Sequence, residues 1–325
     1  KDLGIGPQIR QSVINLIEKT VGVGDVVASR ILSLATEVTK VYNPDTPFGN
    51  RIETNRRNTV TDIDHKWRED DINTADHFNP NTGPTASDAT QARKGNTLDF
   101  IGVKVQTGLI ANQMVTNQGF MDELERQTTD SLVAILRKKD LVYLTETEDA
   151  TGPVFKMAGI LPKIVAASHV VASGTSPPGC VTAANLDSAI RAIFNDAGSR
   201  SLEIFCKPKQ AECIHALLSA AFPGLTPLDF IRFYGQIQGA CISTVYYSQL
   251  VGAIPVYSDT QISSGNLLVC DTRLLVPNGF RLGGLAGPFV LAMARTDLSD
   301  PRLVFDAVTL EYRNLNAHSK VTGLA

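Results

Sequence analysis

Residues 291–324 read LAMARTDLSDPRLVFDAVTLEYRNLNAHSKVTGL, and residues 43–48 read NPDTPF. In the first stretch, residues 307–313 alternate cleanly. Val308, Leu310 and Tyr312 oppose Thr309, Glu311 and Arg313, which predicts a strand with one apolar and one wet face. In the second, Pro44 and Pro47 stop any helix, because proline lacks the amide donor and restricts the residue before it.

Upstream of that stop, Ile9, Val13, Leu16 and Ile17 recur at helical spacing, and Val27, Ile31, Leu34 and Val38 repeat it. The first 48 residues thus predict two short amphipathic helices feeding an extended arm, which cannot form a core alone. Residues 58–68 alternate as a strand, with Thr59, Thr61, Ile63, His65 and Trp67 on one face. A Pro-, Gly-, Thr- and Ser-rich stretch follows at 79–95, and 98–105 returns as a second strand. A hairpin so poor in core residues is marginal by itself and reads as an arm lying on a neighbour.

Residues 117–145 form the longest helical candidate, with Asn117 as cap and Phe120, Leu124, Leu132 and Leu136 along one stripe. From about 181 the pattern alternates between helix and strand. Asn185 is expected to cap a helix that ends at Gly198, residues 202–206 form a buried strand, and Pro208 opens a helix stopped by Pro223. Strands follow at 241–247, 253–257, 266–271 and 289–294.

At 325 residues the chain can bury a sizeable core, and about two domains are expected. A net charge of −3, from 30 basic and 33 acidic side chains, excludes tight duplex binding through phosphate neutralisation. No run approaches the ~20 apolar residues a bilayer crossing needs, so no membrane partner is expected. Five cysteines without metal-type spacing (Cys180, Cys206, Cys213, Cys241 and Cys270) predict free thiols in a reducing compartment.

Several short motifs add a resemblance. Asp45–Phe48 (DTPF) precedes the strand holding Trp67, and Gly119–Gln127 (GFMDELERQ) opens the long helix. Gly265–Asp271 (GNLLVCD) and Leu291–Asp297 (LAMARTD) lead into Thr309–Asn314 (TLEYRN), Ala317 and His318. In order and approximate spacing these resemble the SU10-like family of tailed-phage major capsid proteins over roughly 43–325. The resemblance implies an α+β, HK97-type capsid fold with N-arm, E-loop hairpin, long spine helix, A domain and P domain. Its expected boundaries are an N-terminal arm at 1–48, an E-loop-like hairpin at 49–105, and the spine helix with P-domain elements at 106–180. An A domain at 181–290 and C-terminal P-domain strands at 291–325 complete it.

The resemblance also implies a non-enzymatic bacteriophage structural protein. It self-assembles into hexamers and pentamers that close an icosahedral shell around double-stranded DNA. Made in the host cytoplasm, it resides in the virion capsid. Its partners are copies of itself, with a portal, scaffold, maturation protease and decoration or cement proteins. Contact with packaged DNA is weak and non-specific. The inter-subunit contact candidates are Asp45, Phe48, Arg56, Arg57, Lys66, Trp67, Arg68, Arg93, Lys94, Glu311 and Arg313. Lys66 and Lys94 match no crosslinking pattern of the wider fold.

No cofactor, metal site or catalytic residue is expected. Asp62, Asp64, His65, Glu69, Asp70 and Asp71 offer metal donors, but period-two alternation points Asp62 and Asp64 away from His65. Neither GxSxG nor HExxH occurs, and His169, His215 and His318 are isolated in sequence. The GxG fragments at Gly4–Gly6 and Gly22–Gly24 follow no strand, and GxxxxGK[ST] is absent. Arg56–Arg57 and Arg93–Lys94 are expected to meet acidic groups of a neighbour. Glu123 with Gln127 and Glu125 with Arg126 read as helix-surface polarity. The rival readings are an encapsulin-like compartment carrying protein cargo, a cytosolic α/β enzyme built on 181–290, and a tail or decoration protein.

Overall fold

A computed structural model describes residues 46–70, 91–110, 112–113, 122–173, 179–221, 242–282, 285–295 and 298–324. The helices expected at 8–20 and 25–40, together with Asp45 and Asn117, lie outside them. In chain order the elements are α1 (Pro47–Glu53), β1 (Arg57–Val60), β2 (Asp64–Asp70), β3 (Gln91–Thr97), β4 (Asp99–Gly108), α2 (Glu123–Thr145) and β5 (Val170–Ala172). They continue with α3 (Ala183–Ala197), β6 (Glu203–Cys206), α4 (Pro208–Ala221), β7 (Ile242–Ser248), β8 (Gly252–Ser258) and β9 (Asn266–Cys270). The chain closes with β10 (Leu275–Leu282), β11 (Leu285–Ala286), β12 (Phe289–Ala292), β13 (Ser299–Tyr312) and β14 (His318–Thr322). Among the described residues no helix is long and apolar enough to cross a membrane.

The chain divides into two compact units. The first contains, among described residues, parts of 100–138 and 285–307. Here β13 pairs antiparallel with β12, setting Phe289 against Phe305 and Leu291 against Leu303, and β4 also pairs with β13. The approach of β4 requires a glycine: a Cβ on Gly102 would stand 2.9 Å from the Phe305 Cβ. At the start of α2, the Asp122 side chain accepts from the backbone N–H groups of Leu124 and Glu125, satisfying donors that a helix start leaves free. The helix therefore begins at 123, and Asp122 is its cap.

The buried positions of α2 also differ from the expected stripe. Leu124, Ser131 and Ile135 are buried, whereas Leu136 is exposed. An α-helix turns once every 3.6 residues, so three steps of four drift by roughly 120° and carry Leu136 off the Leu124 face. Glu123 is buried too, accepting from Arg126 and Gln127, so it is not surface polarity.

The second unit holds residues 45–99, 139–284 and 308–325. Its larger sheet runs β5-β14-β9-β6-β8-β7, and the apolar sides of α3 and α4 share its core. Leu186, Ala189, Ile190 and Ile193 from α3 and Ile214 from α4 pack with Ile204, Val256, Val269 and Val321 of the sheet. Each large aliphatic side chain buried there contributes about 1.5–3 kcal/mol. Thr182, not Asn185, caps α3, its side chain accepting from the Asn185 N–H. Gly198, at φ 64°, ends that helix in the left-handed region as expected.

Besides Pro47, which opens α1 where the sequence reading had it stop any helix, four further sequence readings are corrected in this unit. Cys180 and Cys213 form a disulfide, with Cα atoms 5.8 Å apart, so two of the five cysteines are not free thiols. Helical periodicity could not show it, because the bond joins α4 to a segment 33 residues earlier. The hairpin is shorter than read: β2 pairs with β3, Asp64 opposite Thr97 and Asp70 opposite Gln91, while β4 leaves it. The alternation over 58–68 breaks into β1, which runs parallel to β10, and β2. Finally, the second half of β13 has no wet face, since Thr309 and Glu311 are buried like Val308 and Leu310.

Candidate inter-subunit surface at the hairpin base

Period-two alternation puts His65, Trp67 and Glu69 on one face of β2, and that face is half-buried while Asp64, Lys66, Arg68 and Asp70 are exposed. Antiparallel register sets Trp67 opposite Lys94 and Arg68 opposite Arg93. The inward face meets the end of β13. The Trp67 ring lies 6.2 Å from the Tyr312 ring and 5.9 Å from that of His65, and its Nε1 donates to Glu69 Oε1 at 3.4 Å. Glu69 also accepts from the backbone N–H of Asn314, a non-glycine residue held at φ 50°.

Glu311 sits at the centre of the polar part. His65 Nε2 is 3.5 Å away, Asn278 donates at 3.0 Å and Arg313 at 2.8 Å. Burial alone would push this carboxyl upward, but the hydrogen bonds from His65, Arg313 and Asn278 and the Arg313 charge prevail, holding it down to about 2. Beside it, the Asn96 amide donates to the carbonyls of Ala158 and Leu310, and the Tyr312 hydroxyl donates to Ala158. Burial pushes the Tyr312 phenol well up, so it remains a neutral donor.

A second cluster fixes α1. Phe48 is fully buried, edge-on to Phe205 at 5.0 Å, and its N–H donates to Asp259. It is spent on its own chain and leaves no surface for a neighbour, which corrects its place among the contact candidates. Glu53 gathers Lys139 at 2.6 Å, the Tyr143 hydroxyl at 2.9 Å and Arg56 at 3.3 Å.

The other candidates are placed as follows. Arg57, Lys66, Arg68, Arg93 and Lys94 are exposed, and Arg313 is partly exposed. Lys66 pairs with Asp64 and Arg68 with Asp70 along one strand, while Arg93 and Lys94 form no ion pair with any described residue. The structure thus brings Trp67, Glu311 and Arg313 together within one chain, holds Arg56 against Glu53, and leaves Arg57, Lys66, Arg68, Arg93 and Lys94 exposed. Sequence reasoning missed Asn96, Asn278, Tyr312 and Asn314, because their partners lie on strands far away in the chain. The available signal was an aromatic residue and an acid, Trp67 and Glu69, at period-two spacing in an otherwise polar strand.

One further constellation mimics hydrolytic chemistry. His169 Nδ1 lies 2.9 Å from Ser319 Oγ, and His169 Nε2 lies 2.9 Å from Asp196 Oδ2. Both His169 and Ser319 are buried, however, so no substrate carbonyl could reach the hydroxyl. Among the described residues no three or more His, Cys, Asp or Glu side chains converge as a metal site would.

Comparison with known proteins gives one family and one fold. The sequence model of the family described as SU10 major capsid protein matches residues 16–325. No curated protein matches the chain. Among solved structures, the capsid of a native GTA particle superposes with TM-score 0.62 at 11% identity, covering 90% of this chain and 94% of that one. The capsid of cyanophage A-1(L) gives 0.58 at 14% identity, with 89% and 96% covered. The holo-SrpI encapsulin complex of Synechococcus elongatus PCC 7942 gives 0.58 at 12%, with 91% and 95% covered. At such identities the likeness shows the fold, an α+β fold of the HK97 type.

Proposed function

The chain belongs to the SU10 major capsid protein family, and from that premise we propose that its copies form hexamers and pentamers closing an icosahedral shell around double-stranded DNA. It is a capsid protein that assembles with itself and resides in the virion, and its family is a structural one. The observation that carries the reading is the family match over 16–325. A physical observation supports it. In the first unit, Phe100 is 49% exposed, Leu291 41% and Leu298 61%. Phe100 and Gly102 lie on one face of β4, and Gly102 faces Phe305, next to Leu303 and Leu291 in the pairing. A water-facing patch of that kind on a folded protein marks a surface that another molecule covers.

In this reading the β2–β3 hairpin serves as the E-loop, α2 as the spine helix, the sheet carrying α3 and α4 as the A domain, and the β10, β12 and β13 strands as the P domain. The N-arm is the part of the chain before α1, since Pro47 and Phe48 belong to that helix and Phe48 to the core. The chain performs no chemistry. Portal, scaffold, maturation protease and decoration or cement proteins are its further partners, its contact with packaged DNA is weak, and synthesis takes place in the host cytoplasm. A net charge of −3 suits a wall that lies near DNA without gripping it.

Cryo-electron microscopy of the purified chain, after sizing by sedimentation, tests this. Closed icosahedral shells, or separate hexamers and pentamers, are expected. A stable monomer under assembly conditions would overturn the reading, and shells filled with a protein cargo instead of DNA would overturn its DNA part.

A further inference from the structure

Two separate ties join the segment before α3 to α4. One is the Cys180–Cys213 disulfide. The other is Gln210, buried on α4 one turn before Cys213. Its side-chain oxygen accepts from the Val181 N–H at 2.9 Å, and its amide donates to the Gly179 carbonyl. Gln210 thus grips the backbone on both sides of Cys180, and the Val181 side chain packs in the core with Ala211 and Ile214 of α4. None of these contacts involves sulfur. They hold Cys180 against Cys213, Cα atoms 5.8 Å apart and within the span of a disulfide, whether or not the sulfurs are joined. The free cysteines among the described residues do not compete. Cys206 and Cys270 are buried, and burial pushes the Cys206 thiol up to about 12 and the Cys270 thiol well above its ordinary value, so neither supplies a thiolate. Cys180 and Cys213 are only half-buried, which gives a small exchange partner access to the pair.

We propose that Cys180 and Cys213 form a reversible dithiol site that exchanges with a small disulfide of the glutathione type, and that their bond is a staple closed after the chain has folded. The thiolate of one cysteine attacks a sulfur of the small disulfide, breaks its S–S bond and releases one thiolate, which takes up a proton. The other cysteine, deprotonated, attacks the mixed disulfide, forms the Cys180–Cys213 bond and releases the second small thiol. Two protein thiols are oxidised and one small disulfide is reduced to two thiols, so protons and electrons balance. Because Gln210 already holds the two segments together, neither direction needs the backbone to rearrange. The timing rests on the proposed synthesis in the host cytoplasm, where thiols stay reduced. There the chain folds with both thiols open, and the bond closes in the oxidising medium outside the host.

The full chain, equilibrated in buffers of stepped glutathione to glutathione disulfide ratio, quenched with N-ethylmaleimide and read by peptide mass, tests the site. One two-electron transition is expected at Cys180 and Cys213, with Cys206 and Cys270 unreactive in the folded chain. Reduction should leave circular dichroism unchanged and the Val181 amide protected from hydrogen exchange. Gln210→Met removes the second tie and should lower the ratio of bonded to open pairs in a given buffer by about tenfold, the scale of two lost hydrogen bonds. Loss of Val181 protection on reduction would mean that the bond itself holds the segments, and would overturn the proposal without recourse to any variant. A folded Gln210→Met chain with an unchanged equilibrium would overturn it as well. Cells with a reducing cytoplasm, lysed directly into N-ethylmaleimide, should yield chain alkylated at both cysteines, and chain already bonded there would overturn the timing. The equilibrium is read on the chain whether or not it assembles, so a chain that formed no shells would count against the self-assembly reading and leave the dithiol site standing.

Discussion

His318 stands at the start of β14, fully buried, with neither ring nitrogen hydrogen-bonded to any described residue. Burial pushes it down from 6.5 to about 4; Asp271 pulls the other way, and His169 adds to the depression. Between those values the unfolded chain binds a proton that the folded chain refuses. Stability therefore falls as pH drops from 6.5 towards 4, by up to about 3 kcal/mol. Denaturant midpoints of His318→Leu should lose that part of the acid dependence, whereas the wild type keeps it. A second single-residue effect lies at Gly159, where a Cβ would come within 2.7 Å of the Leu144 carbonyl carbon and the Val142 oxygen. Both neighbours are backbone and cannot rotate away, so Gly159→Ala should cost roughly 1–3 kcal/mol in chemical unfolding. Neither residue announces itself in the sequence: His318 reads as an isolated histidine, and Gly159 as an ordinary glycine before a short helical turn. Their weight comes from what surrounds them, and those groups are distant in the chain.

At the scale of elements, local signals read well where one element satisfies itself. The glycine ending α3, the proline opening α4 and the buried strand at Glu203–Cys206 depend on neighbours in sequence, and each is where the pattern places it. Reading failed where two elements had to meet. Alternation continues through 58–68, yet the chain bends at 61–63 because β1 finds β10 while β2 finds β3. The bond between Cys180 and Cys213 is likewise a meeting of two segments, and it closes a loop of about 33 residues. In the chain-entropy picture such a loop is worth about 3–4 kcal/mol. Cys180→Ser with Cys213→Ser should thus lower the unfolding midpoint of the oxidised protein and remove its response to dithiothreitol. An unchanged midpoint would show that the bond constrains nothing in the unfolded chain.

For the molecule as a whole, the exposed apolar residues of β4 and β12 are the term that folding leaves unspent. Phe100→Asp with Leu291→Asp alters no side chain that is buried in the single chain, so circular dichroism and thermal midpoints should change little. Sedimentation should nevertheless show the material shifted from shells to small species, since a charge on a face that another copy covers costs far more than one in water. Shells formed as readily as before would remove that face from the assembly.

The sequence by itself determined the fold family. Motifs such as GNLLVCD, LAMARTD and TLEYRN, in a fixed order, carry the same assignment that the match over 16–325 supplies. They were legible because each is a local pattern, and order along a chain needs no third dimension. Only the tertiary structure decided that Glu311 is a buried hub and not a wet-face carboxylate, that Phe48 is core, and that Trp67 walls a pocket with Tyr312. Alternation tells which side chains share a face of a strand. What covers that face is set by packing between segments more than 200 residues apart, as when Glu311 meets His65, and periodicity carries no record of it.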